Sequence, residues 1–249
     1  MTIERMLLDL DELVDRLRAR FGQDRVVLLA HSWGTVLGTR YAYACPAKVR
    51  AYLGTGQIVN KREAQRRAHG FALADARRRG DARAVEALRA IDVEQPSVDQ
   101  LFALSHWVER FGGAVRADLS TGGLILAALS TDEADVTDLV RFGRGNRFSH
   151  DHLLDEFVAV DLAALQHFEV PIFLLLGRHD KVTASELAAD WFATLAAPHK
   201  ELVWFDASAH HPPFEEPERF VAEVRRLAGP APPLAASDRC ALSGARAAR

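Results

Sequence analysis

"VVLLAHSWGTVLGTRYAY", residues 26–43, decides how the rest of the chain is read. Five apolar residues run without polar alternation and stop at His31. Such a run predicts a strand buried on both faces, as in a parallel sheet. A helix is expected to start near Trp33 and to end before Pro46. Ser32 stands at the junction. Ala30-His31-Ser32-Trp33-Gly34 has the form G-x-S-x-G, with alanine in place of the first glycine. Such a turn holds its serine in strained backbone geometry with the hydroxyl above the sheet, and small residues on either side let strand and helix pass closely. The backbone N–H of Trp33, at a helix N-terminus, is then a candidate oxyanion donor. Taken alone, the pentapeptide fits a serine that merely caps a helix equally well.

The flanking segments extend the pattern. "MTIERMLLDLDELVDRLRARF" has apolar residues at helical spacing and ends at Gly22, so it reads as an amphipathic helix with Asp9 and Asp11 on its exposed face. It carries acids throughout and lacks the apolar block of a secretory signal. "VRAYLGTG" (49–56) is a second short strand. "VPIFLLLG" (170–177), a helix in "TASELAADWFATLAA", the strand "KELVWFD" (200–206) and the helix "PERFVAEVRRLAG" follow later. Strands alternating with helices predict an α/β fold with a parallel sheet. Residues 59–164 show helical pieces with Gly-rich breaks and no convincing strand, which predicts a helical insertion. Trp107 is expected in its core. The core domain is then 1–58 with 165–228. Residues 229–249 are rich in Pro and Ala without a hydrophobic face and read as a disordered tail.

Composition narrows the function classes. The chain has 249 residues, 49% hydrophobic and 26% charged, with net charge −3. These values suit a globular protein and give no reason to expect nucleic acid. "KREAQRR" and "ARRRGDAR" read as solvated helix faces. No apolar run approaches the ~20 residues that span a bilayer. Two cysteines, Cys45 and Cys240, are too few for a disulfide framework and read as free thiols in a reducing compartment, hence a cytoplasmic protein. His150 and His152 lack a further ligand cluster and read as a solvated loop, so no metal is expected. No phosphate loop or cofactor motif occurs, and no cofactor is expected.

Two later motifs bear on Ser32. "LLLGRHDKVT" places Asp180 just past a strand, and Thr183 is available to cap the helix that follows. "VWFDASAHHPPFEEPERF" places His210 just past the next strand. The order Ser, Asp, His, each at the C-terminal end of its own strand, is that of an α/β-hydrolase triad. Gln57, at the hinge into the insertion, is a candidate substrate contact, with a turn role as the alternative.

On "HSWGT", "GRHD" and "SAHHPPFEEPERF" the chain resembles the α/β-hydrolase superfamily, and most of all the capped serine hydrolases of the proline iminopeptidase-like group. The resemblance covers roughly residues 1–228. It implies that His210, rather than His211, is the catalytic histidine and that residues 59–164 are a cap. It implies two-step acyl transfer on an ester, amide or peptide bond of a small molecule or short peptide. The triad alone does not separate peptidase, esterase and lactonase. Members of the superfamily normally have several strands before the opening helix, with a His-Gly-type loop that supplies the second oxyanion N–H. Residues 1–24 do not match that segment. The expectation is an incomplete sheet with an open edge prone to self-association, and weak catalysis by these residues alone. The alternative reading is an inactive remnant, or a subunit whose sheet a partner chain completes.

Overall fold

The computed structural model describes residues 1–116, 120, 122–123, 135–229 and 239–242. Helix α1 (Ile3–Phe21) begins where the Thr2 side chain accepts the Arg5 N–H, and Gly22 closes it in a left-handed conformation. Strand β1 (Val26–His31), helix α2 (Gly34–Ala44) and strand β2 (Val49–Thr55) follow. Then come α3 (Lys61–Arg78), α4 (Ala82–Arg89), α5 (Val98–Arg110) and α6 (Val136–Val158). The alternation resumes with β3 (Ile172–Gly177), α7 (Ser185–Thr194), β4 (Lys200–Phe205), α8 (Pro212–Glu215) and α9 (Pro217–Leu227). The strands lie in the order β1-β2-β3-β4, and each neighbouring pair is parallel. All four C-terminal ends therefore open on one edge of the sheet, where ligands of such sheets bind.

Alternation along the strands builds two cores. Leu28, Tyr52, Leu174 and Leu176 face a layer holding Ile3, Leu7 and Val14 of α1, Tyr41 of α2, and Trp191 and Phe192 of α7. Leu53, Phe173, Leu175, Val203 and Phe205 face the other way, onto Phe220 and Leu227 of α9. β3 is wholly buried, as its unbroken apolar run requires. β1 is not. Among the described residues it is paired on one side only, and Leu29 is 50% exposed. This corrects the expectation of a strand buried on both faces.

The inserted helices form a cap with its own core, in which Ala72, Ala76 and Leu88 pack on Leu104, Trp107 and Phe111. Trp107 thus sits where expected. α5 starts with a capping box between Ser97 and Gln100. Among the basic clusters, Arg66 pairs with Glu94 and Arg67 with Glu63 in exposed ion pairs. His150 and His152 lie on α6, not in a loop, and each ring meets a carbonyl of its own helix, those of Asn146 and Phe148.

Three expectations change near the C-terminal end of α2. Cys45 and Cys240 are not free thiols but a disulfide across 195 residues of sequence. The inference of a reducing compartment, which takes both sulfurs as free, loses that support. Asp11 is not exposed: it is 1% accessible and accepts hydrogen bonds from the Tyr41 hydroxyl at 2.8 Å and Lys48 Nζ at 2.6 Å. Residues 239–242, part of the expected disordered tail, are held against this end of α2. The Ala241 N–H donates to the Ala44 carbonyl at 2.9 Å, and Arg239 pairs with Glu169. Residues 230–238 and 243–249 lie outside the described residues, as does most of the cap stretch 117–134. Among the described residues no helix is long and apolar enough to cross a membrane.

Candidate active site

The parallel sheet brings three loops to one edge: Ser32 follows β1, Asp180 follows β3 and His210 follows β4. Ser32 has φ 53, a left-handed conformation that an L-residue other than glycine rarely adopts. Neighbouring bonds hold it there. Its N–H donates to the Thr55 carbonyl at 3.0 Å, and its carbonyl accepts from the Thr35 N–H at 2.8 Å and the Thr35 hydroxyl at 2.6 Å. The close passage of helix over strand occurs at Gly38, not Gly34. A Cβ at Gly38 would come 2.7 Å from the Tyr52 ring and 3.0 Å from the Ala30 Cβ, whereas one at Gly34 would meet nothing within 4 Å. Ala30 therefore matters through its contact with Gly38, one helical turn beyond Gly34.

Ser32 Oγ lies 2.8 Å from His210 Nε2, and His210 Nδ1 lies 2.9 Å from Asp180 Oδ2. Asp180 is fully buried. Burial pushes its carboxyl up, but the His210 partner and the hydrogen bonds from Thr183 outweigh it and bring the pKa down to about 2. An ionised carboxylate only accepts, so Nδ1 of His210 carries the proton and Nε2 offers its lone pair to the serine hydroxyl. Thr183 does not cap α7. Its N–H donates to Asp180 Oδ1 and its hydroxyl to Oδ2, while the Val182 N–H donates to Oδ1 at 2.8 Å. These bonds fix the carboxylate that in turn fixes the ring. Ser208, also near His210, gives its hydroxyl to Glu216 and is turned away from the imidazole.

Two histidines crowd His210: His211, set aside in the sequence as the non-catalytic neighbour, and His31, for which the sequence suggested no role. The His31 and His211 rings lie 4.9 Å from its centroid. His31 Nε2 is 2.9 Å from the His210 carbonyl oxygen; an oxygen of that kind only accepts, so His31 carries its proton on Nε2. Burial, then the neighbouring His210, lower the pKa of His31. Burial and the two other imidazoles push His211 down to about 3. His31 sits inside the quoted pentapeptide, so its adjacency was visible; its partner, 179 residues away, was not.

Gln57 does not reach the site. It is fully buried; its Oε1 accepts from the Tyr52 hydroxyl at 2.6 Å, and its Nε2 donates to the Ile58 carbonyl at 2.7 Å and to Thr39 at 3.1 Å. The candidate substrate contact is thus corrected to a structural role beneath the hinge. Its neighbour Gly56 is the residue at the site: with φ +54, it backs directly onto the His210 ring. Trp33 lies at the start of α2, and among the described residues its N–H has no acceptor. The cap reaches this point through Phe157 of α6, whose ring meets that of Trp33 edge-on at 5.0 Å. Lys61 Nζ lies 4.8 Å from the Phe157 ring centre, and burial lowers its pKa to about 8.

A serine hydroxyl, an imidazole and a buried carboxylate in hydrogen-bonded series, at the C-terminal ends of the strands of a parallel sheet under a helical cap, form a Ser–His–Asp hydrolytic triad. The match to known proteins is of the same kind. Residues 2–223 match the model of the alpha/beta hydrolase family. The chain is 26% identical over 237 residues to Probable aminopeptidase YbaC of Bacillus subtilis (strain 168), an alignment covering 92% of this chain and 73% of that protein. Proline iminopeptidase from Mycobacterium smegmatis superimposes with a TM-score of 0.58 at 16% identity, over 86% of this chain and 69% of that one. Est816, described as an N-acyl homoserine lactone degrading enzyme, gives 0.57 at 17% identity, over 91% of this chain and 74% of that one. Those two structures share the fold at identities too low to carry a substrate. The chain belongs to the alpha/beta hydrolase family.

Proposed function

We propose that Ser32 is the nucleophile, His210 the general base and acid, and Asp180 the residue that orients it, in hydrolysis of an ester, amide or peptide bond of a small molecule or short peptide. The observation that carries this is the unbroken series Ser32–His210–Asp180. His210 Nε2 takes the hydroxyl proton as Ser32 Oγ attacks the carbonyl carbon. The Trp33 N–H donates to the oxyanion that forms. His210 returns the proton to the leaving group, and water then attacks the acyl-enzyme by the same steps. Asp180, ionised throughout, stabilises the imidazolium.

Within the family we propose the proline iminopeptidase-like group. The helical cap over the elbow and the similarity to an aminopeptidase support this. The test is to label the purified chain with a fluorophosphonate and locate the adduct by peptide mass spectrometry. Aminoacyl p-nitroanilides, acyl p-nitrophenyl esters and acyl-homoserine lactones are then compared with a Ser32→Ala control. An adduct on Ser32 and preferred cleavage of the aminoacyl anilides are expected. A label elsewhere removes the assignment of the nucleophile, and a preference for esters or lactones removes the subgroup.

The open β1 edge supports a second proposal, self-association through that strand. An edge with no partner strand among the described residues, beside an exposed Leu29, offers backbone groups to a second copy. Sedimentation of the wild type against Leu29→Lys tests it: the charged variant should shift towards monomer.

A further inference from the structure

Residues 113–116, the strap that leaves α5, lie across both loops that carry the triad's acid and base. The Lys181 N–H, next to Asp180, donates to the Gly113 carbonyl at 2.8 Å. The N–H of His210 itself donates to the Ala114 carbonyl at 2.9 Å. The Arg116 N–H donates to Glu215 Oε2 at 2.7 Å. Glu215 then returns to the histidine loop: its carboxylate accepts the Ala209 N–H at 3.0 Å and the His211 N–H at 2.9 Å. One carboxylate thus joins the strap to the residues on either side of His210. Ala114 and Val115 are buried in the cap's own core, so the strap is packed as part of the cap.

We infer that Glu215 is a positioning residue, and that through it and the strap the placement of the His210 imidazole depends on the seating of the cap. The inference rests on the proposed triad. Hydrogen bonds to a charged acceptor are about twice as strong as neutral ones, and three converge here. His210 is held from the cap side by the Ala114 carbonyl on its own N–H and by Glu215 through its neighbours Ala209 and His211, and from the sheet side by Gly56 against its ring and His31 on its carbonyl. Losing the cap-side restraints leaves the ring free to rotate out of line with Ser32. A misplacement of about 1 Å costs on the order of a hundredfold in rate. Glu216 supplies the contrast. It accepts the Ala207 N–H and the Ser208 hydroxyl in the same loop but has no bond to the strap.

The experiment compares Glu215→Gln, Arg116→Pro and Glu216→Gln. Arg116→Pro deletes the strap's N–H while leaving the Glu215 side chain in place, and serves if Glu215→Gln folds poorly. Three readouts are taken: kcat and KM on an ester that acylates Ser32, thermal stability, and the far-downfield proton resonance of the Nδ1–H of His210 on Asp180. Glu215→Gln and Arg116→Pro should lower kcat about 10- to 100-fold with KM within about threefold, and broaden or shift that resonance. Glu216→Gln should leave the resonance in place. Wild-type kcat and resonance in both strap variants would overturn the proposal, as would equal loss in Glu216→Gln, which would mark a general loosening of the loop. The resonance reports on Asp180 and His210 whatever the nucleophile. Failure of the triad reading is seen separately, as activity that survives in Ser32→Ala.

Discussion

Gly56 and His210 are in direct apposition: a Cβ on Gly56 would fall 2.7 Å from Cε1 and 2.9 Å from Nδ1 of the imidazole. The end of β2 is therefore the floor on which the catalytic ring rests. Gly56→Ala is expected to lower kcat at least tenfold by displacing the ring. The left-handed φ adds a stability cost of about 1–2 kcal/mol. Steady-state kinetics and thermal melts check both, and full activity in the alanine variant would show that the ring does not need this floor.

Ser32 stores backbone strain. Its φ of 53 costs an L-residue about 1 kcal/mol that glycine does not incur. Ser32→Gly should therefore abolish hydrolysis and raise the melting temperature above that of Ser32→Ala. If the two variants melt together, the elbow is unstrained.

Asp180 ties activity to acid stability. Its pKa falls from 3.8 to about 2 on folding. The stabilisation is fully present above the unfolded value near 4 and is lost as pH falls towards 2, amounting to about 2 kcal/mol. Asp180→Asn should lack that slope in acid unfolding curves. It should also lower kcat by about four orders of magnitude, because an amide does not enforce the Nδ1–H tautomer. An identical acid slope in the variant would assign acid sensitivity to other groups.

The reach of the sequence differs between these residues. Ser32, Asp180 and His210 were legible because each follows an apolar run, and a parallel sheet places all such ends on one edge. The cap was legible because its helices lack strand periodicity. Gln57 was misjudged because chain adjacency to a strand end does not give side-chain direction; its neighbour Gly56 faces the site instead. The open edge of the sheet was expected from the unmatched opening segment; only the burial of β1 on both faces was misjudged, because an apolar run does not report whether helices cover both faces of a strand. The disulfide between Cys45 and Cys240, the Glu215 bridge and the partner of His31 are long-range pairings, and no local pattern encodes them.

Lys61 works against stability. Its pKa falls from 10.5 to about 8 because burial disfavours the ammonium. Below pH 8 both folded and unfolded states are charged, and the folded state bears the full desolvation cost. Between about 8 and 10.5 the folded state gives up its proton first, so stability rises with pH across that window. Lys61→Met keeps the contact with Phe157 and removes the charge. It should raise stability at pH 7 by about 1–2 kcal/mol, discounted for the side chain's partial exposure, and flatten the alkaline rise. A lower melting temperature in the methionine variant would mean that the ammonium is stabilised where it lies.

The disulfide should act on stability and leave catalysis alone. Cys45 ends α2, whose first turn follows Ser32, and 11 residues of helix separate the two ends by roughly 16 Å. The bond closes a span of 195 residues and ties residues 239–242 to the sheet domain. Closing so long a loop restricts the unfolded chain, a contribution of about 2–4 kcal/mol. Reduction by dithiothreitol, or Cys240→Ser, should lower the melting temperature and leave kcat and KM on a Ser32-acylating ester within about twofold. Removing the tether leaves the elbow's own bonds, from Ser32 to Thr55 and Thr35, intact. A large fall in kcat on reduction, with the melting temperature unchanged, would show that the far end of α2 is coupled to the nucleophile rather than merely pinned.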